Sequence, residues 1–163
     1  AKLHDDQDKE LSMPSSAPLP AEIVRQLSED SIAFVKRTNL KAEVLEPGFV
    51  RLRMPLAGNQ NHIGSMYAGA LFTLAEIPGG ALFLSSFDAR QFYPIIKEMN
   101  LCFRRPATAD ILVEARLSAA EIERLQTEAQ ANGKAEYVLA LQLTDGNGEV
   151  VASSRATYQL RKH

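Results

Sequence analysis

The sequence predicts an α+β domain in which one antiparallel sheet wraps around a single long central helix. The first observation behind this prediction is an apolar run over residues 61–87, where hydrophobic side chains cover nearly every side of a helix. The second is that segments on both sides of this run alternate apolar and polar residues, as strands with one buried face do. The third is that neither an internal repeat nor a linker is present, so residues 19–163 are predicted to form one domain.

The composition is that of an ordinary soluble globular domain. The chain has 163 residues, of which 45% are hydrophobic and 23% are charged, and its formal net charge is -2. This charge does not favour nucleic acid or anionic lipid as a partner. Cys102 is the only cysteine and the first residues lack an apolar signal segment, so we expect a cytoplasmic protein. The sequence shows no metal-ligand spacing, phosphate-binding loop or Ser/His/Asp order, so we expect no metal and no bound cofactor.

The first elements follow from local pattern. Residues 1–18 are polar and rich in Pro and Ser, which predicts a mobile tail. Apolar residues at helical spacing then predict one broken helix or two short helices that end at Asn39. Alternation over residues 40–44 and 50–56 predicts two strands, with Leu40, Ala42 and Val44 on the apolar face of the first. The turn at Pro47-Gly48 joins them into a hairpin.

The central helix contains one carboxylate, Glu76, and one proline, Pro78. Because proline lacks a backbone N–H and crowds the preceding turn, we expect the helix to kink or restart just after Glu76. These interruptions, with Gly79 and Gly80, and the lack of flanking positive charge argue against a membrane span.

Four strands and one inserted helix are predicted after Asp88. Residues 93–104 form the first strand, with one apolar face made by Ile95, Met99, Leu101 and Phe103. Residues 111–117 form the second. The capping box at residues 118–121 opens a small helix over about 118–132, which Gly133 ends. The last two strands form a hairpin around the turn at residues 145–148.

This arrangement, together with the start of the central helix, resembles the hotdog fold of acyl-CoA thioesterases. In the phenylacetate-pathway type of that family the motif is Asn-x-x-Gly-x-x-His-Gly-Gly, followed seven residues after the last Gly by Asp or Glu. The matching positions here are Asn61, Gly64, Tyr67, Ala68, Gly69 and Glu76. The segment 103–106 and the final DGNG turn also match, and the resemblance spans about residues 40–160.

Three positions depart from the family pattern. Tyr67 stands where the family has His, Ala68 replaces the first glycine of the pair, and Ile96 occupies the position at which many members have Ser or Thr. The sequence is therefore similar to a less characterised thioesterase-like branch of the superfamily, in which Tyr-Ala-Gly replaces His-Gly-Gly.

Thioester hydrolysis needs a group that activates water or attacks the carbonyl, and donors where negative charge develops on oxygen. Glu76 is the candidate for the first role, as general base or nucleophile. The backbone N–H groups of Ala68 and Gly69, in the first turn of the helix, are candidates for the oxyanion hole. The amide of Asn61 is a candidate for holding the water or the thioester carbonyl.

The candidate substrate-binding residues are Gly64, Tyr67, Thr73, Arg104 and Arg105. The two arginines suit the phosphates of coenzyme A, which would be part of the substrate. Four of these residues also have a structural interpretation: Gly64 in a tight turn, Tyr67 in the core or a pocket wall, and the two arginines at a solvated strand end.

Gly69 and Glu76 are seven residues apart, which is two turns and about 10 Å along a helix. One carbonyl does not easily reach both groups of the same chain. We therefore expect a homodimer with composite sites, which can pair into a tetramer, and the family resemblance implies the same arrangement.

Two alternatives to a thioesterase remain open. One is a non-catalytic hotdog protein that binds an acyl or CoA ester or acts as an interaction domain. The weaker alternative is a hydratase or dehydratase, because such members rely on a His-centred pair and His62 is the only histidine near the helix.

Overall fold

The computed structural model describes residues 18–163, which form one six-stranded antiparallel sheet packed against a central helix. The strands are β1 (Lys41–Glu46), β2 (Phe49–Met54), β3 (Phe92–Phe103), β4 (Ile111–Arg116), β5 (Lys134–Thr144) and β6 (Val150–Lys162). The helices are α1 (Ala21–Glu29), α2 (Ala33–Thr38), α3 (Ala68–Ser86) and α4 (Ala119–Asn132). The predicted fold class is thereby confirmed. The mobile tail predicted for residues 1–18 lies outside the described residues except at its last position.

The sheet order is β1-β2-β4-β5-β6-β3, and helix α3 contacts all six strands. The core lies between this helix and the inward faces of the strands. Its largest fully buried side chains include Leu52, Leu74, Ile111 and Leu160. The N-terminal segment forms two short helices, and the second ends at Asn39, as predicted. The structure shows that Asn39 has the left-handed conformation, with φ 61°.

Helix α3 continues through Pro78 as one element of 19 residues, so of the predicted kink or restart after Glu76 the restart does not occur. Burial of side chains such as Leu74, Ile77 and Leu82 on both sides of the proline offsets the loss of one helical hydrogen bond. This helix is also long and apolar enough to cross a membrane, but 67% of its most apolar window is buried inside the sheet domain. It is the core helix of the domain.

Two bulges change which side chains the strands bury. In β1 the register shifts between Ala42 and Val44, so Leu45 is buried while Val44 is only half-buried. In β3 the register shifts between Ile96 and Glu98. A bulge adds one residue and moves later side chains to the other face.

The prediction for β3 was therefore wrong in one residue. Ile96 pairs with the buried Tyr158, and Met99, Leu101 and Phe103 pair with Ala156, Ser154 and Ala152 on the same face of β6. Ile95 pairs with Gln159 and belongs to the opposite face. Since β3 pairs only with β6 among the described residues, it is an edge strand, and Ile96 and Phe103 are 38% and 56% exposed.

The inserted helix α4 lies where the sequence predicts it and contacts β5 and β6. The Ser118 hydroxyl accepts a hydrogen bond from the N–H of Glu121, and Gly133 ends the helix with φ 81°. The Glu121 carboxylate pairs with Arg124, so the capping interaction is provided by Ser118.

Candidate active site

The segment before helix α3 is held between two loops. The N–H of Met66 donates to the carbonyl of Ala107, and the N–H of Tyr67 donates to the carbonyl of Asn59, each at 2.8 Å. The buried Asn59 amide donates in turn to the carbonyl oxygens of Thr38 and Pro55. Asn59 belongs to no motif that the sequence displays. These bonds fix the point at which α3 begins.

Asn61 organises the turn that leads into this segment. Its Oδ1 accepts from the N–H groups of Ile63 and Ser65, and its Nδ2 donates to the Ser65 hydroxyl at 3.0 Å. Gly64 lies in the same turn with φ 88°, a conformation that favours glycine. One Nδ2 hydrogen of Asn61 has no acceptor among residues 18–163, and it is the part of the amide left for a ligand.

The first two N–H groups of α3 have no acceptor in the described part of the chain. The helical bonds start with Ala70 and Leu71, whose N–H groups both donate to the carbonyl of Tyr67, and the N–H groups of Ala68 and Gly69 precede them. The Tyr67 ring lies against Gly69, where an added Cβ would be 2.5 Å from the ring Cε1. Unpaired N–H donors at a helix N-terminus favour a nearby anion or partial negative charge.

A groove of about 330 Å³ opens at this helix start. Two of the six motif positions, Asn61 and Ala68, line it, and Gly64, Tyr67 and Gly69 do not. The wall also includes Ser65, Leu71, Phe103 at the end of β3, and the following Arg104 and Arg105. The Arg104 guanidinium donates to the Ser153 hydroxyl at 3.3 Å and forms no ion pair within residues 18–163. Arg105 is paired with Glu149 at 2.6 Å.

Glu76 lies two turns further along α3 and is not among the residues that line this groove. Its side chain is half-buried, and within residues 18–163 it forms neither an ion pair nor a hydrogen bond. Burial raises the pKa of this carboxyl group because the charged form loses hydration. Thr73 is a buried residue that lies between the helix start and Glu76, and its hydroxyl donates to the carbonyl of Gly69 at 2.8 Å.

Tyr158, which the sequence placed only on a strand face, lies close to the same helix. Its hydroxyl oxygen is buried and has no hydrogen-bond partner among the described residues. Burial, and to a smaller extent the charge of Glu76, raise the pKa of Tyr158 to about 12. No single-chain spacing signal points to this contact, because β6 and α3 are distant in sequence. In residues 18–163 no group of three or more His, Cys, Asp or Glu side chains is placed to hold a metal ion.

Comparison with known proteins places the chain in a family. The model of the family described as "Domain of unknown function (DUF4442)" matches residues 21–160. The chain belongs to this family. No curated protein matches. A Pseudomonas aeruginosa protein of unknown function, described as a probable thioesterase, is 71% identical in its crystal structure, with a TM-score of 0.87 over 90% of this chain and 99% of that chain.

More distant solved structures share the fold of this DUF4442 chain. A Haemophilus influenzae thioesterase is 16% identical with a TM-score of 0.67, over 88% of this chain and 92% of that chain. A mutant thioesterase from Pseudomonas aeruginosa is 19% identical with a TM-score of 0.66, over 89% and 96% of the two chains. The protein has the hotdog fold of thioesterases, as the resemblance implied.

Proposed function

We propose that this protein is a thioesterase that hydrolyses an acyl thioester of coenzyme A, with Glu76 as the general base or nucleophile. The observation that carries the proposal is a half-buried carboxylate without a partner in residues 18–163, at the acidic position of the thioesterase motif. A group with a raised pKa and no ion pair is typical of functional sites. The 71% identical relative described as a probable thioesterase supports the same activity.

In the general-base form, the Glu76 carboxylate takes a proton from water as the water oxygen bonds to the thioester carbonyl carbon. The N–H groups of Ala68 and Gly69 donate to the carbonyl oxygen as it becomes negatively charged. When the C–S bond breaks, the leaving thiolate receives the proton from Glu76, so the carboxylate is restored. A pKa raised by burial makes Glu76 a better proton acceptor than an exposed carboxylate. These steps require no bound cofactor.

Helix geometry argues that the two halves of the site belong to different protomers. Gly69 and Glu76 are separated by about 10 Å along one helix, and the groove at the helix start does not include Glu76. In a homodimer with neighbouring α3 helices, the donors of one protomer face the carboxylate of its partner. The edge strand β3, with its exposed Ile96 and Phe103, is the surface we propose for the contact.

Arg104 is the better candidate for the phosphates of coenzyme A. It borders the groove and has no carboxylate partner within the described chain, whereas Arg105 would have to leave Glu149. A guanidinium group binds phosphate through paired N–H donors. The groove then holds the thioester end of the substrate, close to Ala68.

The test measures thiol release from a panel of acyl-CoA esters by wild type, Glu76→Gln and Glu123→Gln. Glu123 is an exposed helical glutamate and serves as the matched control. Glu76→Gln should lose about 10²-fold to 10⁴-fold in kcat, the usual contribution of a general base, while Glu123→Gln retains activity. Equal, slow release by wild type and Glu76→Gln would contradict the proposal. Binding of an acyl-CoA without any turnover would favour the non-catalytic alternative.

A further inference from the structure

The ring of Tyr158 packs directly on helix α3. Tyr158 lies in β6 between Tyr137 of β5 and Ile96 of β3, and its ring stacks on Tyr137 with centroids 5.4 Å apart. A Cβ added at Gly79 would lie 2.3 Å from the Tyr158 hydroxyl oxygen. The missing side chain of Gly79 is therefore what admits the phenol to the helix surface.

The buried Tyr158 hydroxyl has no partner within residues 18–163, and Tyr158 as a whole is only 4% exposed. Buried hydroxyl groups are almost always hydrogen-bonded because an unpaired one costs its full desolvation. Gly79 comes three residues after Glu76, so the two positions are neighbours on one helix face. The Glu76 carboxylate also lacks a hydrogen-bond partner in the described chain. An unpaired donor and an unpaired acceptor thus lie on adjacent turns of α3.

We propose that Tyr158 is a positioning residue for Glu76. When the Glu76 side chain turns toward Gly79, its carboxylate accepts a hydrogen bond from the Tyr158 hydroxyl. The inference rests on the proposed catalytic role of Glu76. The hydrogen bond holds the carboxylate in one orientation, and it favours the charged form that accepts a proton from water. Tyr158 acts through Glu76 and does not itself contact the substrate.

The electrostatic surroundings agree with this assignment. The charge of Glu76 contributes to raising the pKa of Tyr158 to about 12, so the two groups are close enough to interact. At neutral pH the phenol is therefore protonated and able to donate. Tyr137, the other titratable group against this ring, has a raised pKa caused by burial and by Tyr158. No cationic side chain of residues 18–163 pairs with Glu76.

The experiment titrates the side-chain carboxyl carbons by NMR in full-length protein labelled with ¹³C-glutamate. The Glu76 signal is the one absent from Glu76→Gln. Loss of the hydroxyl in Tyr158→Phe should raise the pKa of Glu76 by about one, the equivalent of one hydrogen bond. The matched control is Tyr137→Phe, which removes a hydroxyl from the other ring of the stack and should leave the pKa of Glu76 unchanged.

A second pair of variants decides the matter if Tyr158→Phe does not fold. Gly79→Ala pushes the hydroxyl away and should also raise the pKa of Glu76. The control is Gly80→Ala, whose added Cβ meets no atom within 4 Å, and this variant should leave the pKa of Glu76 unchanged.

An unaltered Glu76 pKa in Tyr158→Phe, with a higher melting temperature from removing an unpaired hydroxyl, would overturn the proposal. Where Tyr158→Phe does not fold, an unaltered pKa in Gly79→Ala would overturn it. This titration needs no turnover, so it gives its answer even if the protein proves not to be a thioesterase. Conversely, full activity of Glu76→Gln would refute the proposed function without changing the titration result.

Discussion

The N–H of Ala70 donates to the carbonyl oxygen of Tyr67 at 3.0 Å, and this bond defines the first turn of α3. It leaves the N–H groups of Ala68 and Gly69 ahead of the helical ladder, without an acceptor in residues 18–163. Ala68 is the first helical residue, the position at which proline is tolerated because its missing N–H has no helical partner. One proposed oxyanion donor can thus be removed with little change to the helix.

We predict that Ala68→Pro lowers kcat by about 10²-fold to 10³-fold while the stability of the fold is retained. Tyr67 has φ -59° and ψ 140°, which a residue before proline can adopt. The control is Ala119→Pro, at the first position of α4, whose preceding residue has φ -65° and ψ 156°. Acyl-CoA kinetics and urea unfolding measure the two effects. A kcat equal to that of wild type would show that the N–H group of Ala68 does not take part in catalysis.

Mixing the Ala68→Pro and Glu76→Gln chains, each inactive alone, tests whether the site is shared between two protomers. In a hybrid of Ala68→Pro and Glu76→Gln, one of the two composite sites keeps both its donor and its carboxylate. Random pairing of equal amounts should therefore restore about one quarter of the wild-type activity. If the mixture stays inactive, both groups act from the same protomer.

We predict a dimer by sedimentation, with a mass twice the 17.9 kDa of one chain, and its dissociation by Phe103→Glu. Phe103 is 56% exposed at the end of the edge strand β3, and a charge there opposes burial between protomers. The matched control is Phe34→Glu on α2, because Phe34 is 54% exposed. Phe103→Glu should lose activity together with dimerisation. A dimer that survives this change would place the interface elsewhere.

We predict that Glu76→Gln is more stable than wild type at pH 7. Burial raises the pKa of Glu76, so the native state binds this proton more tightly than the unfolded chain does. The resulting stability is fully present below the unfolded pKa and is lost as the pH rises through the folded pKa. The advantage of glutamine should therefore vanish below about pH 4. Urea unfolding across this range measures it. The glutamine amide oxygen can still accept a hydrogen bond from Tyr158, so a less stable Glu76→Gln at pH 7 would show that the carboxylate makes stabilising interactions that an amide does not reproduce.

Much of the architecture could be predicted because its signals are local. The left-handed end at Asn39, the cap at Ser118 and the stop at Gly133 each depend on one residue type and its immediate neighbours. The strand faces were not predictable across the bulges. The buried face of β1 carries Leu45 where alternation predicted Val44, and the face of β3 that carries Met99 includes Ile96 where alternation predicted Ile95. A bulge depends on how two strands pair, and alternation in one strand does not contain that information.

The candidate site also has features that the sequence predicted and features that depend on contacts between distant segments. The motif spacing and the arginines after β3 identified Asn61, Ala68 and Arg104 as separate candidates, and the structure brings the three together around one groove. It did not indicate that Arg105 is paired with Glu149, since that contact joins two segments far apart in the chain. The hydrogen bond from Met66 to Ala107, which helps to fix the start of α3, likewise joins distant segments and could not be predicted from local sequence.

The sequence alone determined the fold class, the long apolar helix and the single carboxylate on it, because periodicity and composition are properties of short stretches. Only the tertiary structure decided that the Tyr158 hydroxyl meets the helix at Gly79, one turn from Glu76. That contact exists because β6 packs against α3, and packing between distant segments is set by the whole core at once.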